Sequence, residues 1–345
     1  MARFCAALGG TRVDVWTSQK APPALLEGEG VRLRRWFRRR VRTVQLFFLV
    51  RKLLRRGCTV FLPTAGRTAI VLADRAHGWG RPAGEAVLYV HWLRPTARRL
   101  EGLAAVARRR PELRLLTTTA TVRDMLSSCG FRNVRHVPYP AELAVGKEAG
   151  SSDFRYLLFA GAARRDKGFH LVADLVEHLT DSAADVPVRV HTVGDYFDRR
   201  DEQVREDIAR LRAAGYPRLE IEEESLEARA FRAMFAGAIC LQLYDPDEFA
   251  DRVSGITLDA LAAGAPIVVH AGTWMARQVA RFDAGRVVPP GDMAALVQAI
   301  HEVAGDYRRF SAAARRGAEM LADMHHPRHL VEAVVGSEAL DDAGG

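Results

Sequence analysis

The segment 251–266 places a small-residue turn ahead of an acidic side chain in an apolar helix. Ser254 and Gly255 begin that predicted helix, and the free backbone N–H groups and dipole of a helix N-terminus attract phosphate. Asp259 follows about one turn later, where a carboxylate can accept hydrogen bonds from two ribose hydroxyls. Glycine at both ends of a helix is also common in ordinary strand–helix–strand units. That alternative leaves the acid unexplained, so the pattern predicts a nucleotide site.

A second group of chemically capable residues lies in the basic loop 159–169. The loop follows an apolar strand and precedes a helix, and ligands of doubly wound sheets bind at the carboxyl ends of strands. Arg164 could contact a diphosphate as a planar fork, and Lys167 could contact it as a point charge. The alternative interpretation is a solvated basic surface, which is the commoner role of such a loop.

The chain of 345 residues is long enough for two domains, each with its own core. Its four cysteines, at positions 5, 58, 129 and 240, are far apart and form no CxxC pair. This spacing argues against a zinc site or a disulfide framework and indicates a reducing compartment. Because no apolar run reaches the ~18 residues of a membrane span and no signal-peptide pattern opens the chain, we expect a cytoplasmic protein.

Charge is divided unevenly along the chain. Residues 1–150 carry 28 Lys/Arg against 10 Asp/Glu, a net of +18, and the remainder carries 22 against 32, a net of −10. Two segments of opposite sign indicate two domains with different partners, and the basic one should attract anions such as phosphates or an anionic membrane.

Strand and helix patterns alternate through both parts of the chain, with a Pro- and Gly-rich interruption near residues 138–152. This alternation predicts two α/β domains, each with a parallel sheet covered by helices. We expect an N-terminal Rossmann-like domain over 1–145, a linker over 146–152, a nucleotide-sugar-binding domain over 153–325, and a C-terminal helix or tail over 326–345.

The ordered set of motifs from 159 to 291 resembles the donor-binding half of family 4 (group 1) GT-B glycosyltransferases. The matching pieces are, in order, Gly161 to Gly168, 193–195, Ser254-Gly255, 259–266 and 288–292. The resemblance implies two Rossmann-like domains that face across a cleft, with the nucleotide diphosphate held by the second. It also implies sugar transfer with retention and without a metal or other cofactor, from a UDP- or GDP-sugar co-substrate.

The resemblance assigns roles to individual residues of the second half. Lys167 would contact the diphosphate with Arg164, and Asp259 would bind the ribose. Asp251 would touch the donor sugar. The remaining donor-binding positions would be Gly161, Ser254, Gly255, Ile256 and Thr257.

The sequence also departs from the family pattern. Both acids of the usual Glu-x7-Glu pair are Asp here, and Ala162 stands where an Arg usually follows the glycine, with Arg164 as its substitute. Glu248 competes with Asp251 as the first acid. These differences concern contacts to the donor and leave the expected fold unchanged.

The N-terminal half resembles the family through His91, which follows an apolar strand at the position of a histidine that faces the donor sugar. The alternative for His91 is a structural role at a strand end. The family begins with a strand and a glycine-rich loop, whereas this chain begins in what resembles the following helix, over 2–8. The first strand of the N-terminal domain is therefore expected to be missing.

The segment 31–56 is basic and contains no acid. One interpretation is contact with the inner face of an anionic membrane, with Phe37, Leu46, Phe47 and Leu53 as an apolar face, because Lys and Arg near such a surface contribute about 1 kcal/mol each. The other interpretation is a helix packed on the sheet with a solvated, Arg-rich face.

Together these features predict a retaining, metal-independent glycosyltransferase that acts on a glycan or lipid-linked acceptor in the synthesis of cell-surface polysaccharide or glycolipid. One alternative is a sugar-nucleotide epimerase, for which no further acid–base residues are evident. Another is a degenerate GT-B protein that binds sugar nucleotides without catalysis. A nucleic-acid binder is disfavoured, since interleaved aromatic residues and zinc-finger spacing are lacking. The sugar, the base and the acceptor stay open.

Overall fold

A computed structural model describes residues 13–20, 31–78, 83–143, 153–192 and 202–336. The chain divides into two compact units, one formed by 1–140 together with 324–345 and the other by 141–323. The predicted helix over 2–8, the missing first strand, the motif at 193–195 and the linker over 146–152 lie outside the described residues.

The described part of the first unit holds two parallel sheets. Strands β1 (Val13–Ser18) and β2 (Val31–Phe37) pair with each other. The second sheet has the order β3 (Thr59–Ala65), β4 (Glu85–Val90), β5 (Arg114–Thr117) and β6 (Val134–His136). Its helices are α1 (Arg42–Arg55), α2 (Arg67–His77), α3 (Ala97–Arg109) and α4 (Ala120–Ser128). Apolar runs in β4 and β5 are buried, as expected for strands covered on both faces.

The structure corrects the apolar face that the sequence suggested for segment 31–56. Leu46, Phe47 and Leu53 are partly buried and pack against the core of the first unit, while Phe37 ends strand β2. The exposed apolar side chains of this segment include Val44 and Phe48 instead. The apolar residues of this helix occupy more than one face, so the sequence alone does not show which face points inward. Burial of Leu49 and Val50 sets the orientation of α1.

The second unit contains one parallel sheet in the order β12, β11, β10, β7, β8, β9. Its strands are β7 (Tyr156–Ala160), β8 (Val188–His191), β9 (Leu219–Glu222), β10 (Ala238–Gln242), β11 (Ile267–His270) and β12 (Gly285–Val288). The helices are α5 (Phe169–Asp181), α6 (Glu202–Ala213), α7 (Ala228–Ala233), α8 (Pro246–Phe249), α9 (Gly255–Ala262), α10 (Trp274–Phe282), α11 (Met293–Gly305) and α12 (Tyr307–Ala322). This is the doubly wound order of dinucleotide-binding folds, and the strand order reverses between the parallel neighbours β7 and β10.

Helix α13 (Arg328–Val335) follows the second unit in sequence but packs on the first. Leu330, Val331 and Val334 are buried in one apolar cluster with Tyr89 of β4 and Leu116 of β5. The Arg114 guanidinium also donates a hydrogen bond to the Ala333 carbonyl, at 2.5 Å. Within the described ranges, no helix has both the length and the apolar character to cross a membrane.

Candidate anion-binding site at the switch point

The loops that follow β7 and β10 meet where the strand order reverses. Gly168 has φ +72°, and a Cβ there would lie 2.1 Å from the carbonyl oxygen of Leu243. The Asp245 N–H donates a hydrogen bond to the Asp166 carbonyl, at 2.9 Å. Only glycine permits this approach of the two backbones, and the approach brings Lys167 to the carboxyl end of β10.

Lys167 is a partly desolvated cation at this junction. Its Nζ lies 5.6 Å from the ring centroid of Tyr244, and a Cβ on Gly161 would lie 3.5 Å from the same nitrogen. Burial, followed by the charges of Arg164 and Arg252, lowers the pKa of Lys167 to about 8. Burial and the neighbouring positive charges both disfavour the charged form of Lys167. An incoming anion stabilises that form, so this side chain is suited to phosphate.

Arg252 is a third cation at the site, and the sequence analysis did not include it. Its guanidinium carbon lies 4.8 Å from the ring centroid of Phe249. Burial and then the charge of Arg164 lower the pKa of Arg252. Arg164 itself forms an ion pair with Asp166. The signal for Arg252 in the sequence is a basic residue two positions before the Ser254-Gly255 turn.

The N-terminus of α9 is open to a ligand. Ser254 occupies the N-cap position, but its side chain makes no capping hydrogen bond. A Cβ at Gly255 would meet no atom within 4 Å, so the backbone there faces free space. The N–H groups of the first turn, including that of Ile256, therefore lack a side-chain cap and can receive an anion.

Two buried side chains, those of Thr257 and Tyr244, lie beside this turn. The Thr257 hydroxyl donates to Oε1 of Gln242 at 2.7 Å, and its donor-binding role stays a prediction. The Tyr244 hydroxyl is buried without a partner in hydrogen-bonding geometry. Burial raises the pKa of Tyr244. A buried hydroxyl without a partner beside a ligand site is commonly satisfied by water or ligand.

The two predicted acids, Asp251 and Asp259, lie on either side of the Ser254-Gly255 turn in the sequence. Asp251 pairs with Arg277 at 2.9 Å, and the same guanidinium donates to the Ala250 carbonyl at 2.8 Å. Asp259 is half-buried on α9, one turn after Gly255. The rival acid Glu248 lies on the short helix α8. The structure thus gathers the predicted residues of the second unit on the loops after β7 and β10 and on α9.

His91 lies in the first unit, directly after β4. Its Nε2 is 2.8 Å from the Pro63 carbonyl oxygen, so that nitrogen carries the proton and donates a hydrogen bond to the backbone. The ring packs edge-on against Tyr89 and Tyr139, with centroids 4.7 Å and 5.7 Å away. A role of His91 toward a sugar stays a prediction. Among the described residues, no group of three or more His, Cys, Asp or Glu side chains has an arrangement suited to a metal.

Residues 154–306 match the profile of the family described as Glycosyl transferases group 1. The sequence has no match among curated proteins. The profile agrees with the motifs of the second unit and confirms the family resemblance and the expectation of a glycosyltransferase.

Solved structures show the same fold at low sequence identity. Sucrose-phosphate synthase from Thermosynechococcus elongatus is 14% identical, with a TM-score of 0.73 over 100% of this chain and 92% of that one. HepE from Anabaena, solved with UDP, is 12% identical, with a TM-score of 0.65 over 90% and 86%. The α,α-trehalose-phosphate synthase from Burkholderia xenovorans, solved with glucose-6-phosphate, is 11% identical, with a TM-score of 0.63 over 90% and 79%. The predicted GT-B fold is therefore confirmed.

Proposed function

We propose, from the premise that residues 154–306 form a group 1 glycosyltransferase domain in a GT-B chain, that this protein transfers a sugar from a nucleotide-sugar donor. The observation that carries the proposal is the convergence of Lys167, Arg164 and Arg252 at the switch point, beside the uncapped N-terminus of α9. Such a group of donors matches a diphosphate.

The proposed chemistry rests on stabilising the leaving group. The three cations and the N–H groups near Gly255 would neutralise the charge that develops on the departing diphosphate. Because these groups supply positive charge directly, no metal is required. Asp259 would accept hydrogen bonds from the ribose, and Asp251, held by Arg277, would contact hydroxyls of the donor sugar.

We assign a retaining outcome, in which an oxygen of the donor phosphate helps to deprotonate the acceptor hydroxyl on the same face of the sugar. This pathway needs no separate protein nucleophile. His91 would orient a hydroxyl of the sugar or of the acceptor.

The acceptor in this proposal is a glycan or lipid-linked molecule, in the synthesis of cell-surface polysaccharide or glycolipid at the inner face of the membrane. The basic character of residues 31–56 supports it, since that segment holds no acid. An anionic surface would concentrate the protein near a lipid-linked acceptor.

A second candidate is a degenerate GT-B protein that binds the donor without transferring it. The two acids at positions 251 and 259 favour this candidate, because both are Asp where the related sequences have Glu, and the shorter side chain draws each carboxylate back by one methylene.

Thermal unfolding with UDP-, GDP- and ADP-sugars tests the donor site. A ligand at 100 times its dissociation constant should add about 2.7 kcal/mol to the free energy of unfolding. The Lys167→Met variant should lose most of that gain. If no nucleotide sugar stabilises the wild type, the proposal fails. Stabilisation without transfer or hydrolysis of the donor would favour the non-catalytic candidate.

A further inference from the structure

An open pocket of about 480 Å³ lies between helices α1 and α2 of the first unit. Both helices contribute side chains to its wall, and we call it the α1–α2 pocket. The lining residues are Thr43, Val44, Phe47, Arg67, Thr68, Val71, Leu72 and Arg75. The volume is within the range of small-ligand sites.

The pocket is apolar inside and basic at its rim. Val71 and Leu72 of α2 and Phe47 of α1 form the apolar wall. Arg67 and Arg75 are exposed and two turns apart on α2, and neither forms an ion pair within the described residues. The Arg67 guanidinium borders Gly102 of α3. The lining therefore combines an apolar wall with two basic side chains.

Exposed apolar side chains continue this surface along the start of α1. Val41, Val44 and Phe48 are 45%, 57% and 63% exposed. Clustered apolar groups of this kind mark an interaction surface when they adjoin a pocket.

The segment that holds all the lining residues except Arg75 carries charge of one sign. Residues 31–73 contain 12 Lys/Arg and no Asp/Glu. Asp74, the first acid after this range, is buried and paired with Arg109 at 2.6 Å. An occupant that complements both the apolar wall and this charge must be an anionic amphiphile.

We propose that the α1–α2 pocket binds an acyl chain of an anionic phospholipid at a bilayer surface, with the lipid phosphate held by Arg67 and Arg75. Val41, Val44 and Phe48 then lie among neighbouring lipids while the basic side chains meet other headgroups. A nucleic acid would satisfy the charge but leave the apolar wall in contact with water.

The inference rests on the proposed function, for which it names a second ligand and its binding site. Lipid binding requires neither donor nor acceptor, so its test is separate from that of the switch-point site. A failure of lipid binding leaves stabilisation by nucleotide sugars untouched, and the reverse also holds.

Flotation with vesicles of phosphatidylglycerol or phosphatidylcholine at moderate salt tests the proposal. The full chain should bind the anionic vesicles and not the neutral ones. Val44→Asp, and the double change Arg67→Gln with Arg75→Gln, should each weaken binding at least about tenfold. The positions changed are exposed, so the fold should persist, and thermal unfolding checks that it does.

Matched controls lie in the second unit. Met320→Asp alters a residue that is 62% exposed on α12. The double change Arg232→Gln with Arg316→Gln removes two exposed positive charges there. Both controls should bind like the wild type. The proposal is overturned if the control variants weaken binding as much as the α1 and α2 variants do, or if the protein binds phosphatidylcholine vesicles equally well. It is also overturned if the α1 and α2 variants bind like the wild type.

A second measurement distinguishes the pocket from the surface around it. Short-chain phosphatidylglycerol, below its micelle concentration, should slow amide hydrogen exchange in α1 and α2, whereas glycerol phosphate should not. Thr68→Trp, which places a bulky ring at the exposed mouth of the pocket, should abolish the protection. Absence of protection in the wild type, or its persistence in Thr68→Trp, contradicts chain binding in the pocket.

Discussion

At the scale of single residues, Lys167 makes the candidate site sensitive to pH. Its pKa is lowered to about 8, mainly by burial, so the charged form that attracts a diphosphate is lost as pH rises through that value. Donor affinity should therefore fall by about tenfold per pH unit above pH 8, because binding must then take up one proton. Calorimetric titration between pH 7 and 9 measures this slope.

Lys167→Arg provides the control, because a guanidinium keeps its charge throughout this range. The variant should bind donor with a flat pH profile. An unchanged slope in Lys167→Arg would assign the titration to another group.

Arg252 should contribute directly to donor affinity. Arg252→Gln removes one of three converging cations, and the loss of a charge-assisted hydrogen bond of about 1.5–3 kcal/mol should weaken binding roughly 10- to 100-fold. Calorimetry with the nucleotide sugar that stabilises the protein most measures the change. Arg232→Gln, at an exposed position of α7, should leave affinity unaltered. Similar affinities for the two variants would remove Arg252 from the site.

The sequence suggested the types of residue at the site better than their contacts. Lys167 and the Ser254-Gly255 turn were predicted because each follows a local pattern at a strand or helix end. The pairing of Asp251 with Arg277 spans 26 residues, and no local pattern encodes it. The same holds for the hydrogen bond from Thr257 to Gln242, which joins a helix to a neighbouring strand.

At the scale of elements, the approach of the loops after β7 and β10 depends on one glycine. Gly168→Ala should cost at least about 2 kcal/mol of folding free energy, because a Cβ would both strain the left-handed backbone and overlap the Leu243 carbonyl. Gly215→Ala is matched in conformation, with φ +64° and open space around the Cβ. It should cost only about 1 kcal/mol. Urea unfolding measures both, and equal losses would show that the loop contact is unimportant.

Elements with a clear pattern of apolar residues were predictable from the sequence, and elements without one were not. The apolar strand expected ahead of the basic loop agrees with the observed strand β7, because five apolar residues follow a polar break. Strand β2 was missed because its Arg side chains hid the alternation of Val31 and Leu33. Helix α8 spans only four residues, too few for a 3.6-residue period to be recognised. Local patterns identify an element but do not identify what it packs against.

At the scale of the whole molecule, α13 should decide the stability of the first unit. A chain ending at His326 loses the buried Leu330, Val331 and Val334, which should cost about 5 kcal/mol or more of that unit's folding free energy. Amide hydrogen exchange should then accelerate in β4 and β5 and stay unchanged in β7 and β10.

A chain ending at Gly336 keeps all three buried side chains and is the matched control. Its exchange rates in β4 and β5 should equal those of the full chain. Equal protection of β4 and β5 in the two shortened chains would mean that α13 adds little to the first unit.

Because α13 follows the second unit in the sequence but packs on the first, the two units cannot mature in the order in which they are translated. Part of the apolar side of β4 and β5, the part that β1 and β2 do not cover, stays exposed until residues 328–335 have left the ribosome. By that time the strands of the second unit are already available to fold. During that interval the nascent N-terminal half exposes apolar surface and is strongly basic. Synthesis therefore passes through a stage in which chaperones would bind the earlier half of the chain longer than the later one.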